Sequence, residues 1–219
     1  NGGRFGFYGE SGYFFNAGVK TDFAGMHQTD VNLEYLKPLG IDAEDKSENM
    51  RITSAETASA DAVLGALGVP ADGTIIGIHP GAGKPPNRWP AQKFAELAVA
   101  LSARRETTVL AMWGPKEEDL GAEFASNVKN VSGVKTVPRL PLRELAAVIA
   151  RCRLFVCNDT GILHIAAAVG TPTLAMFGPT DPLLWNPKGE THQYLKGHDG
   201  TTASIKTSDV LSAAERMLR

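Results

Sequence analysis

Residues 153–182, RLFVCNDTGILHIAAAVGTPTLAMFGPTDP, constrain the fold of this chain more than any other stretch. Arg153 to Cys157 is a short apolar run of the kind that a parallel strand buried on both faces requires. Asn158, Asp159, Thr160 and Gly161 break that run with turn-forming and helix-capping residues. Ile162 to Val169 has the length of a short helix, which Gly170 and then Pro172 terminate before a second apolar strand, Thr173 to Met176. The helix carries no Asp, Glu, Lys or Arg on any face, so it is expected to be packed all round. A helix that starts at the C-terminal end of such a strand lies where open α/β sheets hold ligands. Its free N–H groups carry roughly half a positive charge and favour an anion such as a phosphate. His164, in the first turn, reads either as a core histidine bonded to a carbonyl or as a ring aimed at that anion. Asp159 and Thr160 read either as plain N-caps or as ligand contacts.

The wider chain supplies the sheet. Thr74 to His79, Thr107 to Met112 and Val134 to Val137 are expected strands. Helices are expected from Pro90 to Leu101, to about Val128, and from Pro141 to Ala150. Strands alternating with helices across short loops predict an α/β fold: a Rossmann-like open parallel sheet of five strands, with helices on both faces. Ser54 to Leu67 reads as a helix with Ser54 as N-cap, and Ser208 to Leu218 as a last helix. Upstream, RFGFYG reads as a strand, Tyr8 to Phe23 as an aromatic, glycine-rich loop, and Thr29 to Leu39 as a helix ended by Gly40. The expected division is 1–45, a linker and helix over 46–73, a sheet domain over 74–205, and a terminal helix over 206–219.

Asp159-Thr160-Gly161, His164, Gly170-Thr171-Pro172 and Phe177-Gly178-Pro179-Thr180-Asp181 together closely resemble the signature of glycosyltransferase family 9, which includes the ADP-heptose:lipopolysaccharide heptosyltransferases. The resemblance is good over 74–187 and looser elsewhere. It implies a GT-B enzyme with two facing Rossmann-like domains, of which this chain holds the donor-binding half. Residues 1–45 would then be the end of the acceptor domain, most of which is expected to precede Asn1. The implied reaction is inverting and metal-independent, moving a heptose from an ADP-linked donor to a lipopolysaccharide-type acceptor, lipid-linked or oligosaccharide. The family's general base is an Asp near the start of the N-terminal domain, and no residue of this chain matches it.

Three further loops carry candidate contacts. HPGAGK, His79 to Lys84, places Gly81 and Ala82 where a backbone can approach a ligand, with Lys84 and Arg88 able to meet a diphosphate. Its spacing is not that of a P-loop. The resemblance extends to Gly81-Ala82 and Arg88-Trp89-Pro90, but Asn87 stands where relatives usually carry a donor-contacting Lys. In WGPKEE, Glu117 or Glu118 matches the family's ribose-binding acid. Adjacent helical positions point about 100° apart, so one of the two serves, and Glu117 is preferred. Leu140, after Arg139, matches the family's main-chain contact to adenine. With Asp159, Thr160, Gly161 and His164 these complete the expected donor site.

Composition narrows the function classes. A formal net charge of −2 leaves no nucleic-acid footprint. No apolar run approaches the ~20 residues of a membrane span, and no signal peptide opens the chain. The two cysteines, Cys152 and Cys157, flank one strand and are expected on opposite faces, reduced. No spacing of His, Cys or carboxylates suggests a metal, and no cofactor is expected beyond the nucleotide-sugar substrate. The expected location is the cytoplasm, including the inner face of the cytoplasmic membrane. Two other readings stand beside the enzyme: a sugar-nucleotide-binding module without catalysis, and a nucleotide-sugar epimerase on the same architecture.

Overall fold

The computed structural model describes the backbone of residues 5–7 and 17–19 and all of residues 22–219. The chain divides into two units, residues 1–47 with 183–185, and residues 48–182 with 186–219.

In the smaller unit β1 (Phe5–Phe7) pairs in parallel with β2 (Ala17–Val19). Most of the expected 8–23 loop lies outside the described residues, but β2 falls within it. Helix α1 (Gln28–Glu34) starts at His27, whose Nδ1 accepts from the Thr29 N–H. It stops short of the expected Leu39. A single 3-10 turn over Lys37–Leu39 follows, and Gly40 closes it at φ 74°, in the left-handed region that favours glycine.

The larger unit begins with α2 (Ser54–Ala66). Thr53, not Ser54, is its N-cap. The Thr53 hydroxyl accepts from the Glu56 N–H while the Glu56 carboxylate accepts from the Thr53 N–H, a complete capping box. There follow β3 (Thr74–His79), α3 (Ala91–Ser102), β4 (Thr107–Ala111), α4 (Glu118–Asn127) and β5 (Val134–Thr136). Then come α5 (Leu142–Ile149), β6 (Leu154–Asn158), α6 (Gly161–Ala168) and β7 (Thr173–Phe177). The chain ends through α7 (Pro182–Trp185), whose residues 183–185 belong to the smaller unit, and then β8 (His192–Lys196) and α8 (Thr207–Met217) of the larger one.

Strands β3 to β8 form one six-stranded parallel sheet in the order β5-β4-β3-β6-β7-β8. This is one strand more than expected. Strand β8 is a largely exposed, polar edge strand whose HQYLK sequence lacks an apolar run. The strand order reverses between β3 and β6, where Ile76 faces Val109 on one side and Leu154 on the other. That reversal is the topological switch point at which such sheets open a crevice beyond their strand ends.

The core follows the strand period of two. Ile76, Ile78, Val109, Leu154, Val156, Leu174 and Met176 face α3, α4 and α8 on one side of the sheet. Leu110, Phe155, Cys157, Ala175 and Phe177 face α2, α5 and α6 on the other. Gly77 is needed where the ring of Phe155 crosses it, since a Cβ there would lie 2.5 Å from Phe155 Cδ2. Helix α2 belongs to this layer, and the Ser59 hydroxyl donates to Glu144 Oε2 of α5 at 2.7 Å. Cys152 and Cys157 do not lie on opposite faces. Cys152 precedes β6 instead of bordering it and joins Cys157 in the second core cluster, both as buried free thiols. Burial pushes both thiols upward, Cys152 to about 12. No helix among the described residues is long and apolar enough to cross a membrane.

Candidate functional site

The crevice at the switch point holds a cavity of about 520 Å³ at the C-terminal ends of the strands. His79 closes β3 at its floor. Met112 to Pro115 and Glu117 follow β4, Val137 to Leu140 follow β5, and α5 contributes Leu142 and Leu145. Helix α6 supplies Thr160, Gly161, Ile162 and Ile165. Val137, Pro138, Leu140, Leu142 and Leu145 give the cavity an apolar wall, and the start of α6 lines it as well.

That start is uncapped. Thr160 occupies the N-cap position with extended backbone, yet its side chain makes no capping hydrogen bond. Asp159 does not cap either. Its Oδ2 accepts from Asn87 Nδ2 at 3.2 Å and from the Thr180 hydroxyl, tying together the loops that follow β3, β6 and β7. The N–H groups of Gly161 and Ile162 therefore have no partner among the described residues and open on the cavity. The rest of α6 corrects the all-round packing expected for it. Leu163 and Ala166 enter the core, while Ile162 and Ile165 are only half-buried because they wall the cavity. His164 corrects another expectation. It does not line the cavity, and its Nδ1 lies 3.1 Å from Glu48 Oε1, on the segment before α2.

The loop after β3 is shaped by Asn158, the fully buried last residue of β6. Its Oδ1 accepts from the Trp89 N–H at 2.9 Å, and its Nδ2 donates to the carbonyls of Pro80 at 2.8 Å and Gly81 at 3.2 Å. One amide thus holds both feet of the loop. Trp89, also buried, fixes the outgoing foot by donating from Nε1 to the Ile205 carbonyl at 3.0 Å and packing edge-on against Phe94. Within the loop the Arg88 Nε donates to the Ala82 carbonyl at 2.7 Å, which draws that guanidinium inward. Lys84 is exposed, beside the cavity-lining Gly83; its carbonyl accepts from the Asn87 N–H, and its side chain has no hydrogen-bond or ion-pair partner among the described residues.

Glu117 lies in the cavity, and Glu118 stays outside it, 3.9 Å from Arg139. The Glu117 carboxylate folds over Gly81 so closely that a Cβ there would meet it at 2.0–2.2 Å. Its Oε2 accepts from the Gly114 N–H at 2.6 Å and stands 3.5 Å from Nε2 of the buried His79. The His79 Nδ1 lies 3.0 Å from the Met112 carbonyl, which can only accept, so Nδ1 carries a proton. Burial pulls the His79 pKa below its ordinary value, against the opposing pull of Glu117.

Of the expected residues, Glu117, Leu140, Thr160 and Gly161 line one cavity, and Gly81 lies directly under Glu117. Ala82, Lys84, Arg88 and Asp159 belong to the loops framing it. His79, Asn158 and the contact of Asn87 with Asp159 were not anticipated. A polar residue ending a buried strand at a switch point, as at His79 and Asn158, was the available signal. No group of three or more His, Cys, Asp or Glu side chains suited to a metal occurs among the described residues.

The chain is similar to known proteins. The lipopolysaccharide heptosyltransferase 3 of Escherichia coli K12 is 32% identical over 212 residues, covering 89% of this chain and 60% of its own length. The lipooligosaccharide heptosyltransferase 2 of Haemophilus influenzae is 29% identical over 183 residues, 81% of this chain and 50% of its own length. This chain therefore spans about half to 60% of such relatives. A glycosyl transferase family 9 structure from Veillonella parvula superposes with a TM-score of 0.82 at 24% identity, over 94% of this chain and 64% of that one. The E. coli ADP-heptose lps heptosyltransferase II does so at 0.81 with 22% identity, over 99% and 70%. Residues 5–214 match glycosyltransferase family 9 (heptosyltransferase), and the chain belongs to that family.

Proposed function

We propose that this chain forms the donor-binding half of a heptosyltransferase that uses ADP-heptose and a lipopolysaccharide-type acceptor, inverting the anomeric centre without a metal ion. The observation that carries the reading is the uncapped start of α6 at a cavity that is also lined by apolar residues after β5 and on α5. The diphosphate sits against the N–H groups of Gly161 and Ile162, with Lys84 free to swing onto it. The base occupies the slot at Leu140, and Glu117 receives the ribose hydroxyls. Asp159, held by Asn87 and Thr180, orients the turn toward the sugar. As the acceptor hydroxyl attacks the anomeric carbon, its proton passes to a general base and the nucleoside diphosphate leaves. Fixed N–H donors and Lys84 stabilise the charge that develops on the leaving group. The protein works at the cytoplasmic side of the membrane, where the lipid-linked acceptor is presented.

Calorimetric titration with ADP, UDP and GDP in EDTA tests the reading. ADP is expected to bind without Mg²⁺ and more tightly than UDP or GDP. A strict requirement for Mg²⁺, or equal affinity for all three, would overturn the metal-independent or the adenine reading respectively.

A further inference from the structure

The contact between His79 and Glu117 is electrostatically incomplete. Nδ1 is committed as a donor to the Met112 carbonyl at 3.0 Å, so a neutral ring leaves a lone pair on Nε2. That lone pair faces Glu117 Oε2 at 3.5 Å, where two acceptors repel. A proton on Nε2 turns the same geometry into an ion pair. Both side chains are secluded, with exposures of 8% for His79 and 14% for Glu117, so solvent screens their interaction weakly.

The surroundings leave the proton to this pair. Across from His79 on β6 stands Cys157, whose thiol burial pushes well above its ordinary value. After β4 the neighbours are the Met112 carbonyl and the Gly114 N–H, both main-chain groups. Helix α5 contributes Leu142 and Leu145, and α6 contributes Thr160 and Gly161, none of them charged. The other cavity-lining charge is Arg139 after β5, 3.9 Å from Glu118 at the rim.

We propose that His79 is a positioning residue for Glu117, and that one proton taken up between them on ligand binding fixes the carboxylate to receive the ribose hydroxyls of a nucleoside diphosphate. The inference rests on the nucleotide reading above. The energetic sense follows from the charges. A bound diphosphate brings negative charge into the cavity that His79 lines, and ribose hydroxyls donate best to an ionised carboxylate. Both favour an imidazolium beside a carboxylate over a neutral ring beside one. Affinity therefore rises as pH falls through the range in which His79 titrates.

The test is the pH dependence of ADP-glucose binding to the full chain, read by calorimetry. This probe's phosphates are both esterified and keep a fixed charge near neutrality, so any slope belongs to the protein. Affinity is expected to weaken by roughly tenfold between about pH 6 and about pH 8, within the limit of about tenfold per pH unit that one linked proton sets. His79→Gln keeps a donor toward the Met112 carbonyl but cannot titrate, and it should bind with a flat profile. Glu117→Gln should also be flat and weaker at both pH values, which keeps the test available if His79→Gln does not fold. A flat profile in the parent, or an unchanged slope in either folded variant, overturns the inference and leaves the nucleotide reading standing. Failure of the folded parent to bind ADP-glucose at either pH overturns the nucleotide reading and the inference with it.

Discussion

Replacement of Gly161 by valine separates a structural turn from a ligand-binding one. Gly161 opens α6 without a positive φ, and a Cβ built on it meets nothing within 4 Å. The protein has room for a side chain, and helix propensity favours replacing glycine by up to ~1 kcal/mol, part of which valine forfeits through its stiff χ1. Stability should therefore stay within about 0.5 kcal/mol of the parent. The open space is the cavity itself, beside the unpartnered N–H groups of Gly161 and Ile162. A branched side chain there keeps a phosphate from the backbone. Hydrogen bonds to charged groups contribute ~1.5–3 kcal/mol each. Loss of one such bond should weaken ADP binding by roughly 10-fold to 100-fold, at 1.4 kcal/mol per tenfold. Thermal melting and calorimetric titration of parent and variant suffice. A variant that melts like the parent and binds ADP equally well would refute the placement of the phosphate site. A large loss of stability would show instead that the glycine is needed by the fold.

Two further substitutions test the frame of the site. Asn158→Ala strips the buried Trp89 N–H and the Pro80 and Gly81 carbonyls of a shared partner. At ~1–3 kcal/mol for each group left unsatisfied, chemical denaturation should show a loss of about 3 kcal/mol or more, and a loss below about 1 would refute the clamp. Glu56 is held down to about 2, first by Arg143 and then by the Thr53 N–H and hydroxyl. Its depressed value means that this contribution is complete above the ordinary carboxylate value of 4.5 and vanishes as pH falls toward 2. The difference in melting temperature between parent and Glu56→Gln should accordingly shrink over that interval, and a constant difference would refute the linkage.

The parts of the fold that were legible are those with local causes. Buried strands such as Leu154–Asn158 announce themselves by uninterrupted apolar runs, and Gly170 ends α6 because φ 81° suits glycine. Strand β8 was invisible because an exposed edge needs no apolar pattern. The misreading of α6 is more instructive. An apolar helix face needs something to cover it, and here Ile162 and Ile165 are covered in part by a cavity and not wholly by protein. Local sequence cannot tell these two kinds of cover apart. The partners of His164 and His79 were equally beyond reach. Glu48 lies 116 residues from His164, and Glu117 meets His79 only because β3 and β4 run side by side.

The Asn158 clamp also bears on when the site comes into being. Its bonds join residues 69 to 78 positions apart, across the pairing of β3 with β6. Neither β3 with its loop nor β6 with α6 can hold that loop in shape alone, and closure over so long an interval carries a loop entropy that the local βα units do not. Ligand competence should consequently appear late in folding, with the docking of the two halves of the sheet, and not with the first helix or strand to form.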